Sequence, residues 1–300
     1  MKSLTFNQLQ LRVLVLLFAL FTSALVSYKY FIELPKIEHS ISLIAEKELD
    51  TLTFSIKNLL KEVSRTGADH AAWTATYNFI HDRNQNYIDE NLVDHAFKTL
   101  EVDGMFFINE KLQFVFGKGF HHKTEKLLKF SFYNFEEYPN NLTMLPPLLT
   151  NKKEAQKMGF IKTQNGPAIY GVNQINTSEL DGDHRGFVIT IKLIEKEFTD
   201  TLSEYTLTKV SLSSIAQNKN FKDLPFWDEE SNVLKVKPST KVLIGDMNKQ
   251  PVVILKMKHS VSKVPDLLDQ ESIIFSIMLS FSFYMVYQLI SITIIKPVKK

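Results

Sequence analysis

The sequence predicts an α+β domain suspended between two membrane-spanning helices. Three observations carry that reading. Two uncharged apolar runs, residues 13–28 and 273–295, stand near the two ends of the 300-residue chain. After the first run, apolar residues recur mostly at spacings of three and four, the mark of a long amphipathic helix. From Gly104 onward the pattern changes to short β-branched and aromatic runs separated by turn residues. A long helix, then hairpins, then a helix into the membrane is an α+β order, not that of alternating βαβ units.

The second apolar run has 23 residues, about 34 Å of helix at roughly 1.5 Å per residue, enough for a bilayer core. Lys296, Lys299 and Lys300 follow it as a cytoplasmic flank should. The first run has 16 residues and reaches about 24 Å. Leu9, Leu11, Phe31 and Ile32 extend it once Arg12 and Lys29 snorkel to the interfaces. Tyr28 and Tyr30 fall where an aromatic belt lies, and Lys2 and Arg12 place the N-terminus inside. A cleaved signal peptide, with Thr22 and Ala24 as its small residues, is the alternative, and it exports the middle of the chain equally. The expected division is a cytoplasmic tail at 1–12, a first span at 13–32 and an exported domain at 33–271 with a stalk helix at 36–66. A second span at 272–295 and the start of a cytoplasmic linker at 296–300 complete it.

Composition removes several function classes. A net charge of +2 with 23% charged residues provides no basic stripe for nucleic acid. The absence of cysteine removes disulfides, thiol catalysis and Cys-ligated zinc, and a domain of this size has core enough to fold without disulfides. No nucleophile elbow, Walker loop or Rossmann fingerprint occurs, so no catalytic residue and no cofactor is assigned.

Element by element, Pro35 is expected to end the membrane-proximal turn. Ile37, Ile41, Ile44, Leu49, Leu52, Ile56, Leu59 and Val63 then form the stalk stripe. That stripe serves either pairing with a second copy or packing on the domain's own sheet. Gly67 is expected to interrupt the stalk, with a second helical segment to Ile80, a polar turn at 81–86 and a short helix at 87–100. Strands at 104–108 and 112–117 flank Asn109-Glu110-Lys111 as a hairpin, and 124–149 is an insertion with Pro139, Pro146 and Pro147. Strands at 158–163 and 168–176 turn at Asn165-Gly166, and an acidic loop at 179–184 precedes the most apolar strand, 186–194. A helix at 195–202, strands at 209–212, 241–244 and 252–258, and residues 265–270 lead into the second span.

Asp69, Trp73 and Tyr77 stand at i, i+4 and i+8, within about 80° of one helical face. There the rings could stack on a ligand while the carboxylate orients it. Tyr87 and Asn91 would close the opposite wall. The plainer reading makes Trp73, Tyr77 and Tyr87 packing residues, and Asp69 and Asn91 capping groups. His121-His122, read at the end of a strand, would point to opposite faces, so no metal site is expected there. Asp181-Gly182-Asp183-His184 lacks the distal Glu of a calcium loop and reads as a solvated turn.

The order Asp69-His70-Ala71-Ala72-Trp73, Tyr77-Asn78-Phe79-Ile80, Asp82, Tyr87-Ile88, Asn91-Leu92, Asp103 and Gly117-Lys118-Gly119 resembles the fourth class of CHASE extracytoplasmic sensor domains. Weaker similarity continues through residues 246–257. The resemblance implies a PAS-like, Cache-type antiparallel sheet at the head of a bacterial transmembrane signalling protein. It also implies a periplasmic domain, an inner-membrane location with both termini cytoplasmic, and a small-molecule or environmental signal. A homodimer through stalk and membrane helices is expected. Outputs in such proteins are diguanylate cyclase, cyclic-di-GMP phosphodiesterase, histidine kinase or chemoreceptor modules, cyclic-di-GMP chemistry being the expected one. Ile295-Lys296-Pro297-Val298 is similar to the opening of a HAMP linker. The alternative function is an exported protein-interaction module that regulates the same output without a small ligand. A membrane-tethered hydrolase, the third class, finds no motif.

Overall fold

The computed structural model describes residues 6–146, 156–179, 184–218, 220–229, 238–261, 263–267, 269–290 and 292–293. It forms two units. Among the described residues, one is helical and holds those from Phe6 to Ala45 and from Val261 to Thr293; the other holds those within 46–232 and 239–260 around two sheets.

In the helical unit, α1 (Phe6–Tyr28) passes through a π-helical turn, Lys29–Glu33, into α2 (Leu34–Ala71). Pro35 does not end the helix. The π-helical turn Lys29–Glu33 lies directly before it, at the place where proline has no N–H to give the helical ladder, and α2 continues to Ala71. Helix α7 (Gln270–Ile290) packs beside α1, with Phe283 against the rings of Phe18 and Phe21 at 6.0 and 5.8 Å. Both helices keep their apolar side chains outward, and both are long and apolar enough to cross a membrane. Lys29 does not snorkel: its ammonium pairs with Asp269 at 2.7 Å and donates to the Ser272 hydroxyl. The HAMP-like stretch 296–300 lies outside the described residues, as do 1–5 of the expected N-terminal tail.

In the sheet unit, α2 runs on to Ala71 and is followed by α3 (Thr74–Asp82), α4 (Gln85–Asn91) and α5 (Asp94–Leu100). Asn84 caps α4 by accepting from the Asn86 N–H. Six antiparallel strands follow: β1 (Gly104–Asn109), β2 (Phe114–Phe120), β3 (Leu127–Leu128), β4 (Gln156–Thr163), β5 (Gly166–Gln174) and β6 (Gly186–Leu193). Their order in the sheet is β3-β2-β1-β6-β5-β4. Side chains alternate between its faces. Met105, Phe107 and Val188 meet Phe79, Tyr87 and Phe97 of the helices, whereas Phe106, Ile108, Ile189 and Ile191 meet Phe130, Phe132 and Met144 of the insertion. Helix α6 (Lys196–Thr206) leads to a second antiparallel sheet of β7 (Lys209–Ser213), β8 (Ser239–Gly245) and β9 (Pro251–Lys258), ordered β7-β9-β8. The α+β class read from the sequence, an antiparallel sheet with a long N-terminal helix, is the one observed.

Gly67 is not a break either. It lies inside α2 where the helix crosses the larger sheet, and a Cβ there would meet the Asn173 amide at 2.6 Å and the Thr190 hydroxyl at 2.9 Å. The stalk stripe divides along its length. Ile41, Leu49, Leu52, Ile56 and Val63 are buried in the protein's own core, while Ile44 (40% exposed) is not; Leu43 (52%) and Phe54 (64%), which lie off the stripe, are exposed as well. Packing on the domain itself therefore accounts for the buried part. Residues 147–149 of the insertion and 181–183 of the calcium-like turn lie outside the described residues.

Candidate sensing site

The three residues expected on one helical face do not share a helix. Asp69 is exposed near the end of α2, Trp73 is the N-cap of α3, and only Tyr77 lies within α3. Tertiary bonds make the break: the Asn176 N–H donates to Ala71 O at 3.0 Å, and the Thr74 N–H and hydroxyl meet the Ser178 hydroxyl at 3.2 and 3.1 Å. The Trp73 indole, 39% exposed, covers the buried ring of His70 at 4.4 Å. Burial holds the His70 imidazole below its ordinary value, against smaller upward pulls from the Thr66 carbonyl and Asp69. Tyr77 is half-buried beneath the Arg185 guanidinium, 3.8 Å from the ring centre, and Arg185 also donates to Tyr77 O.

Tyr87 and Asn91, expected on the opposite wall, have partners within the protein. Tyr87 is core: its ring stacks on Phe79 at 4.5 Å and its hydroxyl bonds the Thr76 hydroxyl at 2.7 Å. Burial pushes that phenol up to about 12. The Asn91 amide donates to Tyr87 O at 3.0 Å, closing its own helix.

A different set of polar groups does converge. Strand β2 ends at Phe120, so His121 and His122 lie in the following turn and are freed from strand alternation. Their rings stand 5.7 Å apart, tilted by 30°, both near Asp103 at the foot of β1. Asp103 is 1% exposed. Its Oδ1 accepts from His122 Nδ1 at 2.7 Å and from the His122 N–H at 3.1 Å, and its Oδ2 accepts from the Leu193 N–H at 2.8 Å. Burial alone would raise the Asp103 carboxyl, but those hydrogen bonds outweigh it and hold the group below its ordinary range. The same bond to Asp103 raises His122 against the opposing effect of burial. His121 Nε2 lies 3.2 Å from Glu195, and His122 Nε2 lies 3.5 Å from Glu197.

Glu197 also belongs to a cavity of about 40 Å³ between α2, α5, β6 and α6. Leu59, Glu62, Val63 and Thr66 of α2 form one wall; Glu101, Lys192, Glu197 and Phe198 form the other. Lys192 spans the second wall, 3.3 Å from Glu101 and 3.6 Å from Glu197. The space suits a few waters, an ion or a very small molecule. Any occupant touches α2 directly. Sequence reasoning named Asp103 as part of the motif and set the histidine pair aside, because it placed them at the end of a strand, where neighbours alternate.

A family model described as the CHASE4 domain matches residues 55–213. Among solved structures, the periplasmic domain of Vibrio cholerae LuxQ is 10% identical over 70% of this chain and 95% of that chain, with a TM-score of 0.41. The extracellular domain of vpHK1S-Z8, assigned to the histidine kinases, is 10% identical over 76% and 95%, with a TM-score of 0.47. A domain from Vibrio parahaemolyticus, assigned to the sensory box/GGDEF family, is 8% identical over 73% and 96%, with a TM-score of 0.43. No match is found among curated proteins.

Proposed function

Because the chain belongs to the CHASE4 domain family, whose model covers residues 55–213 of its 300, we propose that it is the extracytoplasmic sensing module of a membrane-anchored signalling protein. The observation that carries this is placement: the matched region lies between two helices that are long and apolar enough to cross a membrane. With lysines beyond the second span and Lys2 and Arg12 before the first, both ends face the cytoplasm and the sheet unit faces the periplasm. The output is cyclic-di-GMP synthesis or hydrolysis, reached through a HAMP-like linker.

The stimulus is a small molecule or an ion taken up beside α2. Occupancy shifts the helix only if the two positions of α2 differ in affinity for it. A tenfold preference amounts to about 1.4 kcal/mol, so even a small ligand suffices when the two states are nearly balanced.

The module works as a homodimer. Leu43 and Phe54 are eleven residues apart, three turns of α2, and so lie on one side of the helix. Both are exposed, whereas Ile56 is wholly buried in its own subunit. The chain has no cysteine, so each introduced one reports alone. In membranes, Leu43→Cys and Phe54→Cys are expected to form intermolecular disulfides readily, and Ile56→Cys is not. Crosslinking that is absent, or equal at all three positions, would remove the dimer from the account.

A further inference from the structure

We propose that Asp103, His121 and His122 bind one divalent transition-metal ion, and that this ion is a signal the domain reads. The second half rests on the sensor function proposed above; the first half does not.

The ligand atoms of the three side chains lie within 4.8 Å of one another. Asp103 Oδ1 is 3.6 Å from His121 Nδ1 and 2.7 Å from His122 Nδ1. These separations bracket the roughly 3.3 Å between ligand atoms of a tetrahedral ion with bonds of about 2.0–2.1 Å. Little movement is needed. The set is also pre-oriented: Asp103 is held through Oδ2 by the Leu193 N–H, and its side chain is 1% exposed.

The two histidines are turned the right way. His121 Nδ1 accepts from the N–H groups of Lys123 and Thr124 at 3.3 and 3.5 Å, so that nitrogen carries the lone pair, which an ion would take over from these two long contacts, and Nε2–H is left to donate to Glu195. His122 presents the converse problem. Neutral, it donates Nδ1–H to Asp103, which leaves the Nε2 lone pair buried, without a hydrogen-bond partner among the described residues, and 3.5 Å from the Glu197 carboxylate. A metal on Nδ1 resolves this. The Nδ1 proton leaves, Nε2 gains one, and Nε2–H then donates to Glu197; for the neutral ring no proton is released overall. Each ligating imidazole would then be backed by its own carboxylate, the usual way a metal-bound histidine is oriented.

Charge agrees. Asp103, Glu101, Glu195 and Glu197 carry four negative charges, and Lys123 and Lys192 two positive ones. The carboxylates outnumber the ammonium groups, a balance that favours a cation. Imidazole ligands favour zinc, copper or nickel over calcium and magnesium, which seek oxygen. Three protein ligands leave one position open. Fixing Glu197 behind His122 also fixes one wall of the cavity that touches Glu62, Val63 and Thr66 of α2, which gives the ion a route to the helix.

The test uses the full chain in lipid nanodiscs, stripped of metal with a chelator and titrated calorimetrically with Zn²⁺. One equivalent should bind per chain, undisturbed by excess Mg²⁺. Glu197→Gln should weaken binding by about 10- to 100-fold, as expected for a group behind the ligand. His121→Gln and His122→Gln should each weaken it further, and both are checked for wild-type melting without metal. If His122→Gln does not fold, His121→Gln and Glu197→Gln decide alone. No Zn²⁺ binding by folded wild type, or undiminished binding in the folded variants, overturns the site. If Zn²⁺ binds as described but leaves Phe54→Cys crosslinking unchanged, the site stands and its role as a signal falls.

Discussion

Gly171→Val is expected to lower the melting temperature of the chain by about 10 °C or more. A Cβ at this position would lie 2.5 Å from Ser64 Cα and 3.0 Å from Ser64 N, and a helix backbone cannot rotate away as a side chain can. Gly67 makes the same approach from the other side. Between them, α2 lies close enough to the sheet for Asn173 Nδ2 to donate to Ser64 O at 2.9 Å and the Thr190 hydroxyl to donate to Val63 O at 3.0 Å. Valine would push the helix off the sheet. Overpacking costs about 1–3 kcal/mol, and each buried polar group left unpaired costs about 1–3 more. The sum is a large part of the roughly 5–15 kcal/mol available to a domain, and each kcal/mol corresponds to about 2–4 °C at this size. A thermal melt followed by circular dichroism reads it. A shift under about 3 °C would mean that α2 does not cross the sheet this closely.

Glu48→Ala carries the second large effect. The Glu48 carboxylate bonds His259 Nδ1 at 2.7 Å, the Ser260 N–H at 3.2 Å and the Ser260 hydroxyl. On its far side His259 Nε2 meets the Thr240 hydroxyl at 2.7 Å, and the His259 side chain is 1% exposed. This fastens α2 to the end of β9. Alanine removes the carboxylate and strands a buried ring, at a cost of about 1–3 kcal/mol if the ring is neutral and about 3–5 if it is an imidazolium. Glu48→Gln keeps the shape and an acceptor oxygen, so it should melt between wild type and Glu48→Ala. Equal melting of Glu48→Ala and wild type would show that the contact contributes nothing net.

The large features were legible because they depend on period and length. The apolar runs, the helix through residues 36–66 and the hairpins about Asn109 and Asn165-Gly166 appear near their expected places. What misled was local punctuation read without tertiary context. Pro35 and Gly67 read as breakers in isolation; the first follows a π-helical turn inside a continuing helix, and the second is small because a sheet lies against it. The Asp69–Trp73–Tyr77 stripe presupposed an unbroken helix. The break depends on Asn176 and Ser178, about a hundred residues further along the chain, and nothing local announces it. Tyr87 and Asn91 had the right spacing for a wall, but spacing does not distinguish an inward face that packs from one that lines a space. For His121 and His122 the alternation rule was sound but applied just past the end of the strand. Strands β7, β8 and β9 were each recognised, yet their grouping into a separate sheet follows from pairings that sequence period does not encode.

The central claim, an exported sensing domain held between two spans with both ends inside, is tested most directly by reporter fusions. A phosphatase that is active only on the exported side, joined after Asp200 in α6, should be active, and the same reporter joined after Lys300 should be silent. Silence after Asp200 or activity after Lys300 would contradict the account.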